Sequence, residues 1–234
     1  MTKRVVVVTG AGRGIGRATA LAFAATGDHV VLAARSETEL AAMADEVRAA
    51  GGAATVVPCD VTAEPHVRRM VATAAELQGK IDIVVCNAGV AVVAPFTTLS
   101  LADWEQSLRV TLTGTFLVCK HAVAQMQPGG HIFTLASIAG RTGFPNWSAY
   151  AAAKFGVLGF SESIRAELRP SGIKVTAVIP GAVDTPLWDT VPGEWNRHQM
   201  LQPTDIARAI VRAADEPPHV AIDEIVLGHV AGAL

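Results

Sequence analysis

Seven short runs of β-branched and apolar residues recur along the chain, and helical patterns fill the gaps between them. The runs are RVVVVTG at 4–10, HVVLAAR at 29–35, ATVVPCD at 54–60, IDIVVCNAG at 81–89, HIFTLAS at 131–137, IKVTAVIPG at 173–181 and VAIDEIVLG at 220–228. Continuous apolar strands of this kind are buried on both faces, as parallel strands are. After the second run, Ser36 and Glu39 form a capping box ahead of Leu40, Met43, Ala44 and Val47, and Gly51 ends that helix. Val67, Met70, Val71, Ala74 and Leu77 carry the same period in the next gap. Strand, helix, strand in repetition predicts an α/β fold: a doubly wound sheet of about seven parallel strands with helices on both faces. No linker or break in composition divides the 234 residues, so a single domain is expected over 1–234.

Half of the residues are hydrophobic and only 17% are charged, below the roughly 25% usual in soluble domains. The net charge of −2 and the lack of any Lys/Arg cluster argue against nucleic acid or an anionic membrane as partner, which leaves small molecules. Cys59, Cys86 and Cys119 have no CxxC spacing and read as small buried residues, which suits a reducing cytoplasm. The seven histidines lack metal-ligand spacing, and no metal is assigned. The opening apolar run of four valines is too short for a signal peptide. Asn87, Gly89, Pro95, Thr97, Thr98 and Ser100 interrupt the uncharged stretch from Ile83 to Ala102, which therefore reads as strand, loop and helix start instead of a membrane span.

The first strand runs into TGAGRGIG, with Gly10, Gly12, Gly14 and Gly16. Glycines there let the backbone turn sharply and approach a pyrophosphate, which the amides at the following helix N-terminus then meet. Ile15 stands where the third glycine of GxGxxG would be, and the spacing is GxxxGxG. An acidic residue that grips the adenosine ribose is due about 20 residues on. Ala33, Ala34 and Arg35 are there instead. A guanidinium can bond a 2′-phosphate bidentately, and Arg13 in the glycine loop is a second cation for the same group. The expected cofactor is NADP(H).

Tyr150 and Lys154 lie one helical turn apart in SAYAAAKFG and share a face. An ammonium beside a phenol favours the phenolate and brings a group of ordinary pKa about 10 toward acid–base use at neutral pH. Ser137 closes the fifth strand thirteen residues earlier, at the carboxyl edge where a substrate would lie.

TGAGRGIG, CDV at 59–61, CNAG at 86–89, Ser137, YAAAK at 150–154 and PGAVDT at 180–185 together resemble the short-chain dehydrogenase/reductase family, in order and across nearly the full length. The resemblance implies a Rossmann-type NAD(P)-dependent oxidoreductase acting on a carbonyl or alcohol. It makes Tyr150 the general acid in reduction and the base in oxidation, with Lys154 on the nicotinamide ribose and Ser137 on the substrate oxygen. Asp60 and Val61 would contact adenine; Asn87, Ala88 and Gly89 would line the cofactor; Pro180, Gly181, Val183 and Thr185 would hold the carboxamide side.

The chain departs from the family at Thr111, which aligns with an asparagine that completes a catalytic tetrad. That asparagine's main-chain carbonyl holds a water in the proton relay, and a threonine carbonyl can do the same while its hydroxyl bonds back one helical turn. Cys86 in place of the first asparagine of Asn-Asn-Ala-Gly reads as packing, and the C-terminus lacks the common Asp-Gly-Gly ending. A substrate lid is expected at about 186–203. Leu187, Trp188, Val191 and Trp195, with Val92, Phe96, Phe144 and Trp147, predict an apolar or aromatic ketone. The apolar helices VTLTGTFLVCKHAV and 148–168 suggest a homo-oligomer, a tetramer or dimer. The reading is an NADPH-dependent ketone reductase; its rivals are an NADP(H)-binding regulator without turnover and a purely structural subunit.

Overall fold

The computed structural model describes residues 4–232, and Met1–Lys3 and Ala233–Leu234, the ends of the expected 1–234 domain, lie outside the described residues. Seven strands are found where the apolar runs predict them: β1 Val5–Thr9, β2 His29–Ala34, β3 Ala53–Pro58, β4 Ile81–Cys86, β5 Met126–Leu135, β6 Lys174–Pro180 and β7 Glu224–Leu227. They form one sheet in the order β3-β2-β1-β4-β5-β6-β7, with every pairing parallel.

The four valines of β1 explain how such a sheet is covered. Successive side chains of a strand point to opposite faces. Val5 and Val7 join one core with α3 (Glu64–Glu76), α5 (Gly114–Val123) and α6 (Ser148–Leu168). Val6 and Val8 join the other, with α1 (Gly14–Ala25), α2 (Glu37–Ala49) and α7 (Pro203–Ala214). All four valines are essentially inaccessible. Buried on both faces, a central strand cannot alternate apolar with polar residues.

Chain order reverses between β1 and β4, which are neighbours in the sheet although β2 and β3 intervene in sequence. Loops that leave the two strands in opposite directions open a crevice at their carboxyl ends. Among the described residues, no helix is long and apolar enough to cross a membrane.

One helix departs from expectation. The segment VTLTGTFLVCKHAV is not a continuous α-helix: α4 (Leu101–Leu108) passes into a π-helical turn, Arg109–Thr113, before α5. Such turns widen the backbone spiral and favour functional sites. Thr111 sits at the centre of this one.

Candidate active site

A cavity of about 800 Å³ follows the carboxyl ends of the strands. At its floor is the turn after β1, where Gly10 and Gly14 have φ of +65° and +55°. At Gly16 a Cβ would stand 2.1 Å from the Gly10 carbonyl oxygen, so the turn closes only on a glycine. Helix α1 follows with no side-chain cap and no acidic residue in its first turn, which leaves its amides open to an anion.

Thr9, which the sequence reading passed over, ties this turn to the next loop. Its buried hydroxyl donates to the Val85 carbonyl (3.3 Å) and accepts from the amides of Asn87 (3.0 Å) and Ala88 (3.1 Å). The Asn87 side-chain Nδ2 donates in turn to the carbonyls of Thr9 and Gly10. Asn87 therefore shapes the glycine turn from behind as well as lining the cavity. The available signal was a lone hydroxyl at the end of an all-valine strand.

Gly10, Gly12, Arg13, Gly14, Ile15, Arg35, Asp60, Val61, Asn87, Ala88 and Gly89 line the cavity, as do Ser137, Tyr150, Lys154, Pro180, Gly181, Val183 and Thr185. Gly16 and Thr111 do not; both are buried behind the wall.

At the end near β2, Arg13 and Arg35 are exposed, and neither forms an ion pair with another described residue. Asp60 stays below the usual carboxylate range: burial pushes it up, but bonds from the amide and hydroxyl of Thr62 and the nearby Arg35 cation outweigh that. The expected capping box on α2 is only half formed. Ser36 Oγ accepts from the Glu39 amide at 3.3 Å, whereas the Glu39 carboxylate lies over Gly12, with Oε2 2.5 Å from where a Cβ there would be. A negative charge thus enters the cavity beside the two arginines, which the capping pattern concealed.

At the centre are Ser137, Tyr150 and Lys154. Ser137 Oγ accepts from the Ala139 amide (3.1 Å), which leaves its O–H to donate. The turn Ile138–Gly140 packs on α6, and a Cβ on Gly140 would meet the Lys154 carbonyl at 2.8 Å. That close approach sets Ser137 against the helix carrying the other two. Burial raises the Tyr150 phenol above its ordinary pKa, with the Ser137 hydroxyl opposing. Burial lowers Lys154 to about 8. The expectation that Lys154 lowers the tyrosine is not met in this geometry: the ammonium donates to the Leu135 carbonyl at 2.5 Å and stands 5.5 Å from the phenol ring centre. An ammonium has three N–H bonds, so two remain for further acceptors.

The Thr111 hydroxyl was expected to bond back along its own helix. Instead it accepts from the Val90 amide (3.3 Å), across the segment after β4, and the Thr111 carbonyl accepts from Thr115 Oγ1 (2.7 Å). A Cβ on Gly89 would lie 3.5 Å from Thr111 Oγ1 and 3.8 Å from Lys154 Nζ. The bare glycine separates the two groups.

The far end of the cavity is aromatic. Trp147 lies edge-on to Tyr150 (5.4 Å), Trp188 is 5.8 Å from Trp147, and Trp195 is 4.8 Å from Trp188. Asn146, in the left-handed region at φ 69°, turns the chain just before Trp147. Val92, Phe144, Leu187 and Gln106 complete this end, and Lys154 is the one charged side chain there among the described residues. Phe96 and Val191 do not line it: Phe96 is exposed on its loop and Val191 is buried within the 186–203 segment. The segment where a lid is expected holds two short 3₁₀ turns, Pro186–Thr190 and Arg197–Gln199, and α7 begins at Pro203.

The family model described as short chain dehydrogenase matches residues 4–194. A sepiapterin reductase of Chlorobaculum tepidum is 35% identical over 98% of each chain. A 3-oxoacyl-[acyl-carrier-protein] reductase of Synechocystis is 38% identical over 89% of this chain and 84% of its own. The structure of an alcohol dehydrogenase from the archaeon Thermococcus sibiricus, complexed with 5-hydroxy-NADP, superposes with a TM-score of 0.91 over 97% of both chains at 28% identity.

Proposed function

This chain belongs to the short-chain dehydrogenase family, and from that premise we propose that it is an NADP(H)-dependent oxidoreductase that reduces an apolar or aromatic ketone, reversibly as an alcohol dehydrogenase. One observation carries the reading. A single cavity joins a glycine cradle with two unpaired arginines to Ser137, Tyr150 and Lys154, and ends in an aromatic wall without further charge. The cradle that a Cβ would fill and the two free guanidinium groups fit a phosphorylated dinucleotide.

When bound, the cofactor supplies the hydride. The Ser137 hydroxyl holds the substrate oxygen, and Tyr150, protonated because burial raises it, gives that oxygen its proton. Lys154 uses its two uncommitted N–H bonds on the ribose hydroxyls and beside the phenol. The Thr111 carbonyl, which accepts from Thr115 Oγ1, is the group that would hold a water of the proton relay. Phe116 and Phe155 are exposed on α5 and α6, which supports the reading that these helices are faces of a homo-oligomer.

The test is NADPH oxidation over a panel of aliphatic, aryl and charged ketones, run with the parent, Thr111→Asn and Thr111→Ala. Aryl and apolar ketones should be turned over and carboxylated ones poorly. Thr111→Asn should change kcat by less than about tenfold. Thr111→Ala should stay active and raise KM, since it leaves the Val90 amide at the cavity rim unpartnered. A parent without turnover that Thr111→Asn rescues would instead make the protein an NADP(H)-binding regulator.

A further inference from the structure

One guanidinium fastens the lid to the loop after β6. Arg197 Nη1 donates to Asp184 Oδ1 at 3.0 Å and to the Thr185 carbonyl at 3.4 Å, while Nη2 bonds Asp189 in the other lid turn. The same loop is anchored elsewhere without Arg197. Trp188 Nε1 donates to the Val183 carbonyl (3.0 Å), and backbone bonds join Leu201 to Ala182 and Asp184 (2.9 and 2.8 Å). These ties hold the lid's base and its first turn; among the described residues, Arg197 alone brings the second turn and both aspartates to one point.

We propose that Arg197 is a positioning residue for the reaction, joining the tryptophan-bearing lid to the 182–185 loop so that substrate wall and cofactor side take one shared arrangement. Thr185 transmits this inward, because a Cβ on Gly14 would stand 3.2 Å from its methyl group. The inference rests on the reading of the cavity as an NADPH and ketone site. A planar guanidinium spreads its donors over separate nitrogens in a fixed fork and so can hold two carboxylates and a carbonyl apart in one arrangement, whereas an ammonium offers its three donors from one point. The Arg197 side chain is 35% exposed, so its ion pairs add little to global stability and their effect is local.

The test uses the full chain, NADPH and a ketone it turns over. Arg197→Ala should raise the ketone KM about tenfold with kcat reduced less than about threefold, and Asp189→Asn should move KM the same way by about threefold. Arg197→Lys should recover only part of the loss. The melting temperature and the directly titrated NADPH affinity should hold in all three. The change in tryptophan emission on adding NADP⁺ gives a second readout that needs no turnover; it should be clear in the parent and weakened in Arg197→Ala. A parent that reduces no ketone overturns the functional reading, while the emission response still decides the role of Arg197. Unchanged KM in both Arg197→Ala and Asp189→Asn overturns the proposal. So does an unchanged emission response, or a loss of activity that tracks the melting temperature.

Discussion

Tyr150→Phe should lower NADPH-dependent turnover at least about 10²-fold, the scale of general acid catalysis, and leave NADPH affinity within a few-fold. The substitution removes one oxygen and keeps the ring, so the edge contact with Trp147 at 5.4 Å survives and the aromatic wall stays in place. What disappears is the hydroxyl that the proposed mechanism makes the proton donor. Retained turnover, measured beside a direct NADPH titration, would move the acid elsewhere. The pH profile gives a second check on the same pair. Reduction needs the phenol protonated and the ammonium charged; burial raises the phenol above its ordinary value and lowers Lys154 to about 8. The limit at high pH therefore belongs to the lysine: kcat/KM for NADPH, which reports the free enzyme, should fall as pH rises through about 8. A fall that begins only near the ordinary lysine pKa, about 10.4, would mean that Lys154 is not desolvated in solution.

Much of this site was legible because its demands are local. A turn that must admit a phosphate needs glycines at fixed spacing, and a phenol and ammonium that share a helix face need a spacing of i to i+4. A parallel sheet with helices on both faces followed from the alternation of strands and helices, whereas the order β3-β2-β1-β4-β5-β6-β7 is visible only in the fold. Contacts between distant segments left no such trace. The hydroxyl of Thr9 serves the segment after β4, some 78 residues on, and a lone hydroxyl closing a run of valines does not say which distant segment it will hold. Glu39 satisfied a helix-cap pattern, and the pattern hid that its carboxylate turns toward Gly12. Thr111 was recognised by alignment, but the π turn that holds it and its bond to Val90 depend on how the 87–90 segment passes α4 and α5. Arg197 lies in a polar stretch of lid with no periodicity, where only the fold brings Asp184 and Asp189 to it.

Arg35→Asp should reduce kcat/KM with NADPH by about 30-fold or more, equivalent to about 2 kcal/mol, because on the proposed reading it removes a charge-assisted bond to the 2′-phosphate and adds repulsion. The local electrostatics make the effect larger than at an isolated surface arginine. Arg35 is near enough to help hold Asp60 ionised, and Glu39 places a further carboxylate over Gly12. A third acid would leave Arg13 as the one cation of the cavity's β2 end among the described residues. NADH has no phosphate to repel, so its kcat/KM should change less than about threefold, and the ratio of the two cofactors reports the interaction free of any general damage. The opposite substitution sharpens the argument. Glu39→Gln removes a negative charge from the same region without altering its size, and should raise the NADPH/NADH ratio by a few-fold. If Arg35→Asp leaves the ratio unchanged, Arg35 faces solvent and the phosphate rests on Arg13, in which case Arg13→Ala must produce the loss instead. If both arginines can be removed without moving the ratio, the preference for the phosphorylated cofactor fails, whatever the ketone.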